Sequence, residues 1–453
     1  MKNTRLRAIP AVEKVLQSLG EIELPRRLVV EAVRRELAGL RGEKKIPSFD
    51  SILERVRLAL EELRRSRIQP VINGTGIIVH TNLGRAPLGA AEIETLQSVA
   101  RNYNNLEFDL GNGERGVRGG YVERGLALLC EAEAATVANN CAAALVLILR
   151  HFTGGQKKKV VVSRGELVQI GGGFRIPEIL EASGAQLREV GTTNKTSIQD
   201  YARAIDAGTA LILRVHRSNF FMGGFVESPA TAELAALARR KRVPFVEDLG
   251  SGAMIATEKI TAAEHEPTPA EILQHGVDLV CFSGDKLFGG PQAGIIAGRA
   301  RYITALKREP FFRALRCDKL ILAALQTTVE NYLQNTVVSA IPVMAMWQAG
   351  IDELRARAGR ILAAVQHLDV VARLGEGRSQ MGGGTLPRSF VPSITIDLQP
   401  NDFGVDELAR RLRGARPAII GYLAGGKFRL DLRTVFSGQD EEICRALKRA
   451  LTA

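Results

Sequence analysis

The sequence predicts an α/β protein: a large domain on a mostly parallel sheet, a small helical domain before it and an α+β domain after it. Three observations predict this. Helical apolar periodicity marks the first 67 residues. From about residue 71, short β-branched runs alternate with helical stretches. After Gly382-Gly383-Gly384, two more apolar runs alternate with amphipathic stretches.

In the first segment, Ile52, Val56, Leu60 and Leu63 recur at helical spacing, with Arg55, Arg57, Glu61, Glu62 and Arg64 between them. Asp50 is the expected N-cap of that helix. A second apolar stripe, Leu28, Val29, Ala32, Val33 and Leu37, is backed by Arg26, Arg27, Arg34 and Arg35. The segment Gly42–Ser48 separates the two.

The strand-like runs of the large domain are Lys159–Ser163, Leu187–Val190, Ala210–Val215, Val243–Glu247 and Asp278–Ser283. Their spacing leaves room for helical crossovers. Val160-Val161-Val162 suits a strand covered on both faces. Residues 321–366 read as long helices. Beyond them, Ser393–Leu398 and Lys427–Leu432 look like strands, and Asp406–Arg413 and Gln439–Leu451 like helices. The expected domains are 1–68, 69–345 and 346–453.

Composition bounds the partners. The 453 residues carry a net charge of +12. Residues 1–70 hold 16 Lys/Arg against 10 Asp/Glu, so half of the excess sits in the helical segment. That suits a polyanion partner, and equally a solvated basic helix surface. No run approaches the roughly 18 apolar residues of a membrane helix. Met1–Pro10 is basic without an apolar signal core, so a cytoplasmic location is expected. The five cysteines are scattered and form no C-x-x-C pair. The six histidines show no H-x-x-x-H or H-E-x-x-H spacing, and no metal site is expected.

Three features come in an informative order. Asn139-Asn140-Cys141-Ala142-Ala143-Ala144 precedes an apolar helix. Small residues there let a phosphate approach free N–H groups; the bland alternative is a capped helix with a packed alanine face. In Phe245-Val246-Glu247-Asp248-Leu249 an apolar run ends in an acid, and Gly250-Ser251-Gly252 follows. An acid at the carboxyl end of a parallel strand lies where open sheets bind ligands, and there it could hold a pyridine nitrogen protonated; it could also cap the next helix. Ser283-Gly284-Asp285-Lys286 follows a strand and precedes Gly289-Gly290. A sheltered lysine amine suits Schiff-base chemistry, Ser283 can reach a phosphate oxygen, and the glycines allow close approach. A surface-loop lysine is the alternative for this motif alone. His216 ends an apolar run and either lines the pocket or is a satisfied structural histidine.

The order phosphate loop, Asp248, then Ser283 and Lys286, resembles the aspartate-aminotransferase-like superfamily of pyridoxal-phosphate enzymes (fold type I). The resemblance implies that Lys286 carries the cofactor, with Asp248, Ser283, Asn140, Cys141, Ala142 and His216 around it.

A narrower resemblance covers nearly the whole chain. Ile72–Leu88, with its Asn73-Gly74-Thr75-Gly76 and His80-Thr81-Asn82-Leu83-Gly84-Arg85 segments, is similar to the signature of the bacterial L-seryl-tRNA(Sec) selenium transferase family. So are Asn105–Leu110, Ser163–Leu167, Phe174–Pro177, Glu189–Thr196, Arg313–Lys319 and Asp431–Val435. Two stretches depart from the family pattern. His216-Arg217-Ser218-Asn219-Phe220-Phe221 stands where threonine-serine-asparagine-tyrosine is usual, and Gly421-Tyr422-Leu423 where glycine-arginine is usual.

This resemblance implies a function. Serine esterified to tRNA(Sec) becomes selenocysteine through an aminoacrylyl-tRNA intermediate, with selenophosphate as selenium donor and Lys286 as base. Arg85, Arg313 and Arg316 become candidates for the anion, since guanidinium forks match phosphate oxygens. Arg433 is a weaker candidate, because a strand arginine can be spent on Asp431. The basic helical segment becomes a tRNA-binding domain. A homo-oligomer is implied: a dimer at least, and a decamer built as a pentamer of dimers. The alternative is a pyridoxal-phosphate-dependent β-eliminating lyase acting on a small amino acid or an aminosugar phosphate.

Overall fold

The computed structural model describes residues 7–169, 171–173, 175–260 and 264–452. Met1–Leu6 of the basic N-terminus and Phe174 of the Phe174–Pro177 segment lie outside the described residues. The chain separates into two compact units, Met1–Pro70 and Val71–Ala453.

The first unit is three helices: α1 (Val12–Leu19), α2 (Arg26–Gly39) and α3 (Phe49–Arg65). Val15, Val29, Val33, Leu37, Ile52, Val56 and Leu60 form its core. Leu28, expected in the stripe, is 40 % exposed. It lies in the first turn of α2, at the edge of the stripe, and so small a unit covers only the centre. The cap of α3 also differs from expectation. Ser48, not Asp50, is the N-cap, and its Oγ accepts from the N–H of Ser51 at 3.3 Å. Ser48 has the extended backbone a cap requires, whereas Asp50 lies inside the first turn and can only favour the positive end of the helix dipole. Arg26, Arg27, Arg34 and Arg35 are all exposed.

The second unit holds fourteen strands among its described residues. In order they are β1 (Val71–Asn73), β2 (Ile77–Val79), β3 (Ala134–Ala138), β4 (Lys159–Ser163), β5 (Gln186–Val190), β6 (Thr209–Val215) and β7 (Phe245–Gly250). There follow β8 (Leu279–Ser283), β9 (Gly294–Gly298), β10 (Val370–Gly382), β11 (Thr385–Pro400), β12 (Ala418–Ile420), β13 (Tyr422–Ala424) and β14 (Lys427–Asp431).

The main sheet has seven strands in the order β3-β9-β8-β7-β6-β4-β5. Only β9 runs against its neighbours. Both faces are covered. On β4, Val160 and Val162 join the core that includes Leu145 and Ile148, while Val161 joins the core on the other face. That is the two-residue period of a strand buried on both sides.

The rest of the unit is a long hairpin, β10 with β11, turning at Gly383-Gly384. The sheet order there is β13-β14-β11-β10-β2. Helices Ile351–Val365, Val405–Arg413 and Asp440–Thr452 pack on it through Leu354, Leu408, Leu447, Ile396 and Leu430. Segment 71–79 belongs with these late strands, since β1 pairs with β12 and β2 with β10. Among the described residues, no helix is long and apolar enough to cross a membrane.

Candidate active site

The site forms at the carboxyl ends of β6, β7 and β8, the position where open parallel sheets bind ligands. On β7, Val246 faces the core that contains helix Cys141–Thr153, and Phe245 and Leu249 face the opposite core. Alternation therefore points Asp248 toward that helix and Glu247 away from it. On β8 the same alternation puts Cys281 and Ser283 on the Asp248 side. The strand register sets Asp248 directly beside Cys281. Cys141 closes the group, its thiol 3.5 Å from Oδ1 of Asp248.

Asn140 is the N-cap of helix Cys141–Thr153, and its Oδ1 accepts from the Ala143 N–H at 2.8 Å. The N–H groups of Cys141 and Ala142, in the first turn, have no intrahelical acceptor by position. They stand at the positive end of a 13-residue helix. Gly294 makes this placement possible: a Cβ there would lie 2.0 Å from the Asn140 carbonyl oxygen.

Lys286 lies beyond β8, and the cavity it borders has a volume of about 860 Å³. Asn140, Cys141, Ala142, Asp248, Ser283, His216 and Arg85 all line that cavity. Gly250, at φ +67°, also lines it: a Cβ there would sit 3.9 Å from Lys286 Nζ, 3.9 Å from Asp248 Oδ1 and 3.7 Å from Ser218 Oγ. A hollow ringed by an amine, a carboxylate and a hydroxyl suits pyridoxal phosphate, with its aldehyde, pyridine nitrogen and phosphate. Burial raises the Asp248 pKa above the ordinary carboxylate value, and the nearby Lys286 amine opposes that rise. A cationic pyridinium would oppose it further.

Arg85 lines the cavity through an unusual local structure. Its backbone is left-handed, φ +66°, in the turn where its N–H donates to the His80 carbonyl at 3.0 Å. Its guanidinium Nη1 reaches both oxygens of Asp285, at 3.1 and 2.9 Å. Ser283 Oγ donates to the same Asp285 at 2.9 Å. Arg85 is thus tied to the loop that carries Lys286.

Arg313 and Arg316 line a different cavity, of about 370 Å³, with Arg118 and Lys307. They do not share a helix face: the short helix Phe312–Leu315 ends before Arg316, which is extended. Arg316 nevertheless lies beside the cofactor-side helix start. It bridges Ala138, and the Leu315 carbonyl accepts from Asn139 N at 2.9 Å. Arg433 is spent on structure. It lies in a tight turn after β14, and its guanidinium donates to the carbonyls of Met346, Trp347, Ala349 and Pro392.

Asp285, Thr81, Ser218, Asn219 and the Gly383-Gly384 turn also border the main cavity or its arginine. The sequence gives none of them a role in the site: Asp285 is legible only as the neighbour of Lys286, and Gly383-Gly384 only as the boundary before the late strands. Cys141, Asp248 and Cys281 bring their donor atoms within 4.8 Å of one another. Spacing rules miss such a group because its members lie far apart in the chain. Of the two departures, Arg217 lines a cavity on the far side of His216, and Tyr422-Leu423 lies in the edge strand β13.

A lysine beyond one strand of a mostly parallel sheet, an acid on the next strand and a capped helix end define an α/β fold with its site at the carboxyl ends of the strands. The solved structure of D-glucosaminate-6-phosphate ammonia-lyase shares this fold, with a TM-score of 0.58 at 21% identity over 85% of this chain and 96% of that one. The family model for L-seryl-tRNA selenium transferase matches residues 71–436. The curated L-seryl-tRNA(Sec) selenium transferases of Carboxydothermus hydrogenoformans and Geotalea daltonii are 41% and 42% identical, each over 98% of both chains. This chain belongs to the L-seryl-tRNA selenium transferase family.

Proposed function

We propose that the chain is a pyridoxal-phosphate-dependent enzyme of selenocysteine biosynthesis, converting seryl-tRNA(Sec) to selenocysteinyl-tRNA(Sec) with selenophosphate. The observation that carries this reading is the cavity that gathers Lys286, Asp248 and Arg85 in a chain matching the family along its length. The lyase alternative rests on a likeness of fold alone.

Lys286 would hold the cofactor through Nζ, Asp248 would pair with its pyridine nitrogen, and Ser283 with the first-turn N–H groups of Cys141 and Ala142 would receive its phosphate. Bound pyridoxal phosphate supplies an electron sink for the charge left at the serine Cα. Lys286, once its amine is free, takes the Cα proton. Asp248, as a carboxylate, keeps the pyridine nitrogen protonated. The substrate is an ester and brings no free carboxylate, which leaves arginines to receive the selenophosphate anion: Arg85 in the Lys286 cavity, and Arg313 and Arg316 in the other one. Leu315 and Arg316 run beside the Asn140 end of the site, which supports that assignment.

The exposed arginines of the first unit grip tRNA phosphates. The chain acts in the cytoplasm as a homo-oligomer, at least a dimer and, by the family pattern, a decamer. Exposed apolar side chains at Tyr103, Leu110, Val117, Tyr121 and Leu128 support association. The deciding experiment supplies seryl-tRNA(Sec) and selenophosphate to wild type and Lys286→Ala. Conversion by wild type alone is expected; no conversion by wild type, with the cofactor bound, refutes the reading.

A further inference from the structure

His216 stands between two cavities. One is the cofactor cavity; the other, about 600 Å³, is bordered by Glu166, Arg214, Arg217, Glu247 and His275. Three carboxylates line the second cavity, Glu166, Glu247 and Glu271; a fourth, Glu266, is 4 % exposed and lies beside the His216 ring. Glu166 has its own partners: it accepts from the Val215 N–H at 3.1 Å, and Arg214 lies 3.8 Å away. Glu266 has a different one. Its Oε1 is 3.1 Å from His216 Nε2. The root of the same histidine is fixed by its backbone N–H, which donates to the Asp248 carbonyl at 2.9 Å. His216 is thus fixed at its backbone by the cofactor strand, while its ring stands at ion-pair distance from Glu266 Oε1, an oxygen with no hydrogen-bond partner among the described residues.

The charged groups around His216 are of both signs. The acidic groups are Glu266, Glu247, Glu166, Glu271 and Asp248, of which burial keeps Glu247 protonated up to about pH 7; Arg214, Arg217, His265 and His275 at the second cavity, and Lys286 and Arg85 at the first, are the basic ones. Burial works against charge on the ring, yet the Glu266 carboxylate, backed by Glu247 and Asp248, holds the His216 pKa above the ordinary histidine value.

We propose that Glu266 is a positioning residue: it orients His216 and keeps it cationic, so that a fixed positive charge borders the bound cofactor. A cation there favours the negative charge accepted from Cα. Glu266 does not line the cofactor cavity and would act only through the imidazole. The role toward the cofactor rests on the pyridoxal-phosphate reading; the Glu266–His216 pairing does not.

The test reads His216 directly, by mass-spectrometric C2-hydrogen exchange on the full-length protein across pH. The bound-cofactor absorbance is titrated in parallel. Glu266→Gln is expected to lower the His216 protonation constant tenfold or more, a shift of at least about one pH unit. It should move the pH transition of the absorbance band in the same direction without abolishing the band. Glu266→Asp should restore most of the shift. An unchanged His216 in a folded Glu266→Gln protein overturns the proposal. If Glu266→Gln does not fold, wild type decides. A His216 titrating above the ordinary value of 6.5 supports the proposal, and one at or below it overturns it. A missing absorbance band in wild type would instead defeat the cofactor reading and leave the His216 result standing.

Discussion

Asp248 and Cys281 face each other across the β7–β8 register, and the Cys141 thiol closes on the same carboxylate at 3.5 Å. Asp248 is thus a half-buried acid whose near neighbours are two thiols and the Lys286 amine. Such a carboxylate stays charged only against a cation. In the proposed mechanism that cation is the protonated pyridine nitrogen. Asp248→Asn keeps the shape and removes the charge. The variant should still show the cofactor band, with turnover reduced about 10²–10³-fold, the scale of losing one preorganised electrostatic contact. Single-turnover conversion alongside the absorbance spectrum measures both. Full turnover in Asp248→Asn would show that the acid is merely structural.

Arg85 and Asp285 give a second test. The guanidinium reaches both Asp285 oxygens from a backbone held at φ +66°. Lysine keeps the charge but loses the fork. Arg85→Lys should raise the KM for selenophosphate about tenfold or more, and leave that for seryl-tRNA little changed. Arg313→Ala and Arg316→Ala should move the same constant. A rise confined to the tRNA substrate would place these arginines elsewhere in recognition.

Much of this was legible in the sequence, for a physical reason. Strands buried on both faces are rich in valine and isoleucine, so β4 and β6 announce themselves within a residue or two. β3 and β9 do not. They are built largely of alanine and glycine, which carry little strand preference, and their order comes from pairing with each other and with β8. The cofactor residues were legible because Ser283 ends β8 with Lys286 three residues further on, and Asp248 lies near the end of a recognisable strand. The separation of Arg313 and Arg316 from the Lys286 cavity was not legible: spacing gives a helix face, and the chain leaves the helix before Arg316. The Glu266 contact to His216 was equally hidden, since it joins two loops about fifty residues apart.

The basic first unit invites deletion. Its core uses its own residues, Val15, Val33 and Val56 among them, and its exposed arginines are its proposed contribution. Removing residues 1–66 should abolish binding of tRNA(Sec) while leaving the cofactor band intact. Binding should be compared at two salt concentrations, because phosphate contacts weaken steeply with salt. Retained affinity in the shortened chain would move tRNA recognition to the second unit.

Glu247 makes the stability of the second unit depend on pH. It points away from the cofactor, is 2 % exposed, and its Oε2 has no hydrogen-bond partner among the described residues. Burial pushes its carboxyl up to about 7 from the ordinary 4.5, despite Arg214 and His216 nearby. Between those values the folded chain keeps a proton that the unfolded chain has lost. The stabilisation from that proton is complete below pH 4.5 and disappears as the pH rises through 7. Glu247→Gln keeps the shape and cannot ionise. Its stability relative to wild type should therefore grow by about 2–3 kcal/mol between pH 5 and pH 8. Urea unfolding of both proteins at the two pH values measures the difference. If it does not widen, Glu247 is ionised in the folded protein and the positive groups around it outweigh its burial.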